Sequence, residues 1–87
     1  MKPITLDLLA SPGCHICREF EEFWKAEAPQ WPNVTMKKLD VTTPEGQELV
    51  QKHMIFASPG IFLNGELFAT GGYDRKKFLA KLLELSK

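Results

Sequence analysis

Two cysteines, Cys14 and Cys17, stand three positions apart in the run Ser11-Pro12-Gly13-Cys14-His15-Ile16-Cys17. A thiolate is both a nucleophile and a metal ligand. A pair at this spacing can therefore serve as a structural disulfide, a metal site or a reversible dithiol. Two cysteines are too few for the frameworks of small secreted domains, which take four or more. A structural zinc takes four ligands, and the chain offers two Cys and two His, with His53 far in sequence from His15. No metal site is expected. Reversible exchange remains. On a helix, positions three apart place their Cα atoms roughly 5 Å from each other, which a disulfide tolerates.

What must position such a pair is a strand followed by a helix. Residues 4–10 form a short apolar run bounded by Pro3 and by the turn Ser11-Pro12-Gly13, which predicts a strand. Residues 14–28 then read as a helix, with Cys17, Phe20, Phe23, Trp24 and Ala28 on one stripe. Pro29 and Pro32 end it. Cys14 falls at the helix start, where free backbone N–H groups and about half a positive charge favour a thiolate. Cys17 lies on the apolar stripe. The expectation is an exposed Cys14 that attacks a disulfide and a buried Cys17 that resolves the mixed disulfide. His15, as a cation, would lower the pKa of Cys14 further.

The rest of the chain supplies the remaining elements. Residues 33–41 predict a strand with Val34, Met36 and Leu39 inward, although Lys37-Lys38 blurs its period. Thr42-Thr43-Pro44-Glu45 opens a second helix that runs to about Met54, with Leu49, Val50, His53 and Met54 facing the core. Ile61-Phe62-Leu63 and Glu66 to Thr70 are strands joined by Asn64-Gly65, the strongest short hairpin signal. Gly71-Gly72 breaks the pattern, and Asp74 caps a last helix over 75–86, apolar at Phe78, Leu79, Leu82, Leu83 and Leu85. Its first turn carries Arg75, Lys76 and Lys77, the wrong sign for the helix dipole. They read as a solvated face. The order is β-α-β-α-β-β-α. The first two strands should be parallel with a right-handed crossover and the hairpin antiparallel. The fold class is α/β, with a mixed four-stranded sheet and helices on both faces.

Length and composition agree. Eighty-seven residues, 44% hydrophobic and 25% charged, suit one small domain spanning 1–87. Eleven basic residues balance eleven acidic ones, a balance that gives no field for nucleic acid or an anionic membrane. No run approaches the roughly 20 apolar residues of a membrane span. Neither a nucleic-acid nor a membrane partner is expected. No signal peptide is read at Met1-Lys2-Pro3, and the expected setting is cytoplasmic, the expected state a monomer.

On these residues the chain resembles the thioredoxin–glutaredoxin superfamily, over nearly its whole length. The likeness rests on Pro12-Gly13-Cys14-His15-Ile16-Cys17, on Ser58-Pro59 ahead of a strand, and on Asn64-Gly65 and Gly71-Gly72. It is nearest to small glutaredoxin-like proteins with a Cys-His-x-Cys motif. The resemblance implies the minimal thioredoxin fold and a thiol–disulfide oxidoreductase with Cys14 and Cys17 as catalytic residues. It implies a cis Ser58–Pro59 bond, and substrate binding by Ser58, Pro59, Gly72 and Tyr73. No bound cofactor is implied beyond the redox-active Cys14–Cys17 disulfide itself. Substrates would be protein or small-molecule disulfides, with a reductase or glutathione as electron donor. Glutaredoxins place a lysine where Ser11 stands, so glutathione is expected to be a slow co-substrate. Lys38 matches a lysine near the thioredoxin dithiol, while the buried aspartate that accompanies it falls at Leu8; Asp7 should face elsewhere. The alternatives are a glutathione-dependent glutaredoxin and a glutaredoxin-like iron–sulfur binding module that holds its cluster between two chains through Cys14.

Overall fold

In the computed structural model, which describes residues 1–55 and 57–87, the sequence order becomes β1 (Ile4–Ala10), α1 (His15–Glu27), a short 3-10 turn (Ala28–Gln30), β2 (Val34–Asp40), α2 (Pro44–His53), β3 (Gly60–Leu63), β4 (Glu66–Thr70) and α3 (Arg75–Ser86). The sheet order is β2-β1-β3-β4. β1 runs parallel to β2 and antiparallel to β3, and β3 pairs antiparallel with β4. This is the mixed sheet the sequence predicts. Asn64 and Gly65 both take positive φ, +52° and +81°, as a tight hairpin with the right twist demands.

Two apolar clusters cover the two faces of the sheet. On one face Ile4, Leu6, Leu8 and Ala10 of β1 meet Cys17, Phe20 and Trp24 of α1 and Phe78 and Leu82 of α3. On the other, Leu9, Leu39 and Phe62 pack with Ile55 under Leu49 and Val50 of α2. Successive strand side chains point to opposite faces, so both sides of β1 are covered. That explains the unbroken Leu8-Leu9 pair.

Each helix start is capped from the sequence. Thr43 accepts a hydrogen bond from the Gly46 N–H, and Asp74 accepts one from the Lys77 N–H. Gly46 is buried at the first turn of α2. A Cβ there would run into the backbone carbonyl of Asp40 at the end of β2, so this close approach requires glycine.

Three expectations are corrected. Val34 and Met36 pack on the α1 side of the sheet, but Leu39 faces α2. The odd spacing of these residues puts them on opposite faces, which is why the period of β2 looked blurred. Met54 does not face the core. It ends α2 in a left-handed conformation (φ 52°) that turns its side chain out, 70% exposed. Leu83 on α3 is 55% exposed, while Ser86 is buried, its hydroxyl accepting a hydrogen bond from the Asn33 side-chain amide. Among the described residues, no helix is long and apolar enough to cross a membrane.

Candidate active site

β1 delivers the chain to the turn Ser11-Pro12-Gly13, where Gly13 takes φ +75°. Cys14 follows in extended conformation and forms the N-cap of α1, rather than lying within its first turn. Its Sγ accepts the backbone N–H of Cys17 at 3.1 Å. A sulfur in this place receives one of the helix's unpaired donors and sits at the positive end of the dipole, and both stabilise its anion. Cys14 is half-buried at the surface, while Cys17 is 2% exposed and belongs to the core. The two are joined as a disulfide with Cα atoms 5.3 Å apart, as the helical spacing leads one to expect.

The second loop of the site is the one before β3. The Ser58–Pro59 peptide bond is cis. The Ser58 hydroxyl shares a 2.7 Å hydrogen bond with that of Ser11, which ties this loop to the one carrying Cys14. From the other side the Gly71 N–H donates to the Pro59 carbonyl at 3.0 Å, and the Thr70 hydroxyl to that of Ala57 at 2.7 Å. Pro59 is fully buried. Gly72 and Tyr73 line a shallow cleft with Ile16, Glu19 and Arg75 beside the helix start. Tyr73 is also a packing residue. Its ring meets Phe20 edge-on at 4.9 Å and stacks on Phe23 at 6.0 Å. The guanidinium of Arg75 sits 5.1 Å above the Phe23 ring, so one of the three cations of α3 is held by an aromatic face.

His15 lies well exposed, with Nε2 3.4 Å from the Glu19 carboxylate one turn on. A positive charge on this ring is balanced by Glu19, and its expected pull on Cys14 is weakened accordingly. His53 packs edge-on against Phe62 at 4.9 Å, away from the dithiol.

Below the dithiol, a cavity of about 320 Å³ is lined by Cys14, Cys17, Arg18, Glu21, Lys38 and Asp40 among others. Lys38 Nζ pairs with the Glu21 carboxylate at 3.0 Å across the gap between β2 and α1. The Asp40 carboxylate accepts the Thr42 N–H at 2.8 Å and the Thr42 hydroxyl at 2.7 Å. The backbone bond first, then the hydroxyl, hold its carboxyl below the usual range. Leu8 is completely buried, and Asp7 lies with Lys37 and Glu45 on the α2 side, as the register requires. Sequence reasoning passed over Arg18, Glu21 and Ile16. Their one legible signal was helical spacing from the cysteines, Glu21 four residues after Cys17. Among the described residues, no group of three or more His, Cys, Asp or Glu is placed to hold a metal.

The sequence matches the thioredoxin domain family over residues 4–84. The chain belongs to that family. This thioredoxin domain is similar in structure to a mutant of the thioredoxin-like protein BC3987, at 26% identity, with a TM-score of 0.66, covering 90% of this chain and 97% of that one. It is similar in fold to Fasciola hepatica thioredoxin, at 20% identity and a TM-score of 0.71, covering 94% and 80%. The same holds for a thioredoxin f2 solved in complex with ferredoxin:thioredoxin reductase, at 13% identity and a TM-score of 0.71, covering 99% and 80%. No curated protein sequence matches the chain. Family membership and the closed Cys14–Cys17 pair together support thiol–disulfide oxidoreductase chemistry.

Proposed function

We propose that residues 1–87 act as one dithiol–disulfide oxidoreductase domain in which Cys14 attacks and Cys17 resolves. The observation that carries this is the asymmetry of the pair. Cys14 caps the helix and is only half-buried, while Cys17 is 2% exposed. The Cys14 thiolate attacks a substrate disulfide. One substrate sulfur leaves as a thiolate and the other stays bonded to Cys14. Cys17, as thiolate, then attacks the Cys14 sulfur, expels the second substrate thiolate and closes the Cys14–Cys17 disulfide. Two electrons pass to the substrate, and an external reductant restores the dithiol. Backbone groups of Ser58, beside Pro59, and the cleft at Gly72 and Tyr73 would receive the substrate chain.

The electron donor in this reading is a reductase rather than glutathione. The position where glutaredoxins keep a lysine holds Ser11, and its hydroxyl is engaged with Ser58. A thioredoxin of the same fold binds such a reductase. Two measurements test the proposal. Cys17→Ser, given a disulfide substrate, should accumulate a mixed disulfide on Cys14 detectable by mass, while Cys14→Ser should form none; the opposite pattern reverses the roles. Recycling with thioredoxin reductase and with glutathione should run faster with the former. Efficient turnover with glutathione alone would favour a glutaredoxin-type cycle.

A further inference from the structure

Cys17 must lose its proton before it can attack, and its surroundings work against that. It is 2% exposed and belongs to the same apolar core cluster as Leu8, Ala10 and Phe20, where burial disfavours the anion. No carboxylate stands on β1 beside it, because Leu8 occupies the inward position and Asp7 the opposite face. The cavity that Cys17 lines carries four charged residues, Arg18 and Glu21 from α1 and Lys38 and Asp40 from β2. The two cations offer no lone pair. Asp40 takes both Thr42 donors on one oxygen, and these bonds hold its carboxyl below the usual range, which makes it a poor proton acceptor. Glu21 is four residues after Cys17 and so on the same helix face. Its side chain is 30% exposed, and Lys38 holds it at 3.0 Å.

We infer that Glu21 is the proton acceptor for Cys17, reached through the water-accessible cavity between them. The inference rests on the assignment of Cys17 as the resolving thiol. The Cys17 proton passes through cavity water, for which 320 Å³ is ample, to the Glu21 carboxylate. The Cys17 sulfur attacks the Cys14 sulfur of the mixed disulfide. The Cys14–substrate bond breaks, its electron pair leaves on the substrate sulfur, and that thiolate takes its proton from solvent. When the Cys14–Cys17 disulfide is reduced, Glu21 returns the proton to Cys17. Lys38 keeps the carboxylate oriented into the cavity.

The test is the reaction of the reduced protein with 5,5′-dithiobis(2-nitrobenzoate) in a stopped-flow instrument. One coloured thiolate is released when Cys14 attacks and a second when Cys17 resolves. Glu21→Gln should leave the first release unchanged and slow the second by on the order of a hundredfold at neutral pH. In that variant hydroxide is the remaining acceptor, so the second release should fall about tenfold per unit of pH as pH is lowered. The wild type should keep its rate to lower pH, and Glu21→Asp should recover much of it. A second release with unchanged rate and pH profile in Glu21→Gln overturns the inference. Equal slowing of both releases also overturns it, since a general distortion acts on both. Failure of the underlying assignment would look different: the fast single release would survive in Cys14→Ser and be lost in Cys17→Ser.

Discussion

At the scale of single residues, the chemistry turns on where one sulfur sits relative to one helix end. Cys14 Sγ accepts the Cys17 N–H and lies at the start of the α1 dipole, so the reduced Cys14 should titrate below the free-thiol value of about 8.5. Ultraviolet thiolate absorbance against pH in the Cys17→Ser variant measures this, and a value at or above 8.5 would sink the activation argument. Ser11 offers a second residue-scale test. Ser11→Lys restores the cation that glutaredoxins use on the carboxylates of glutathione, and should raise glutathione-coupled turnover severalfold. It also removes the Ser11–Ser58 bond, at a cost of about 1 kcal/mol that a denaturant melt would register. No gain in turnover would place glutathione's weakness elsewhere in the site.

At the scale of elements, the contact between α2 and the end of β2 is unusually close. Gly46→Ala would push a methyl group against the Asp40 carbonyl, and fixed backbone on both sides leaves little room to yield. A loss of about 1–3 kcal/mol in denaturant unfolding is expected; a neutral or stabilising change would mean that α2 can slide. Asp40 itself locks the start of the same connection through Thr42. Its folded-state pKa lies below the unfolded one. The stabilisation is therefore present above the unfolded value of about 3.9 and is lost as pH falls through the folded one. Asp40→Ala should melt below the wild type at neutral pH, and the gap should close in strong acid. A gap of equal size at every pH would assign the effect to packing.

At the scale of the whole molecule, α1 and α3 are held to the sheet through one aromatic hub. Phe78 is fully buried and its ring meets Phe20 at 5.2 Å, Phe68 at 5.7 Å, and Phe23 and Trp24 at 6.0 Å. Phe78→Ala should cost about 3–5 kcal/mol. A chain of 87 residues has a total stability of about 4–13 kcal/mol. The variant should therefore unfold at far lower denaturant, and the dithiol should lose its acidity as α1 loosens. Retained stability would show that the aromatic cluster can close over the cavity.

The sequence alone determined what depends on neighbours a few residues away. Cys14 at a helix start, the Thr43 and Asp74 caps, the Asn64-Gly65 turn and the boundaries of β1 and β4 are all local matters of backbone donors, φ preference and period. The element order and the dithiol were legible for that reason, and the cis Ser58–Pro59 bond through family resemblance. Tertiary structure decided what depends on which face meets which. Leu39 and Met36 parted to opposite sides of the sheet, Met54 and Leu83 turned to solvent, and Ser11 found Ser58 across 47 positions. Glu21 met Lys38 beside Cys17 only because α1 lies over β2 at one particular rotation. Periodicity along a chain says that a residue has a face; it carries no information on the rotation and register that give that face its partner.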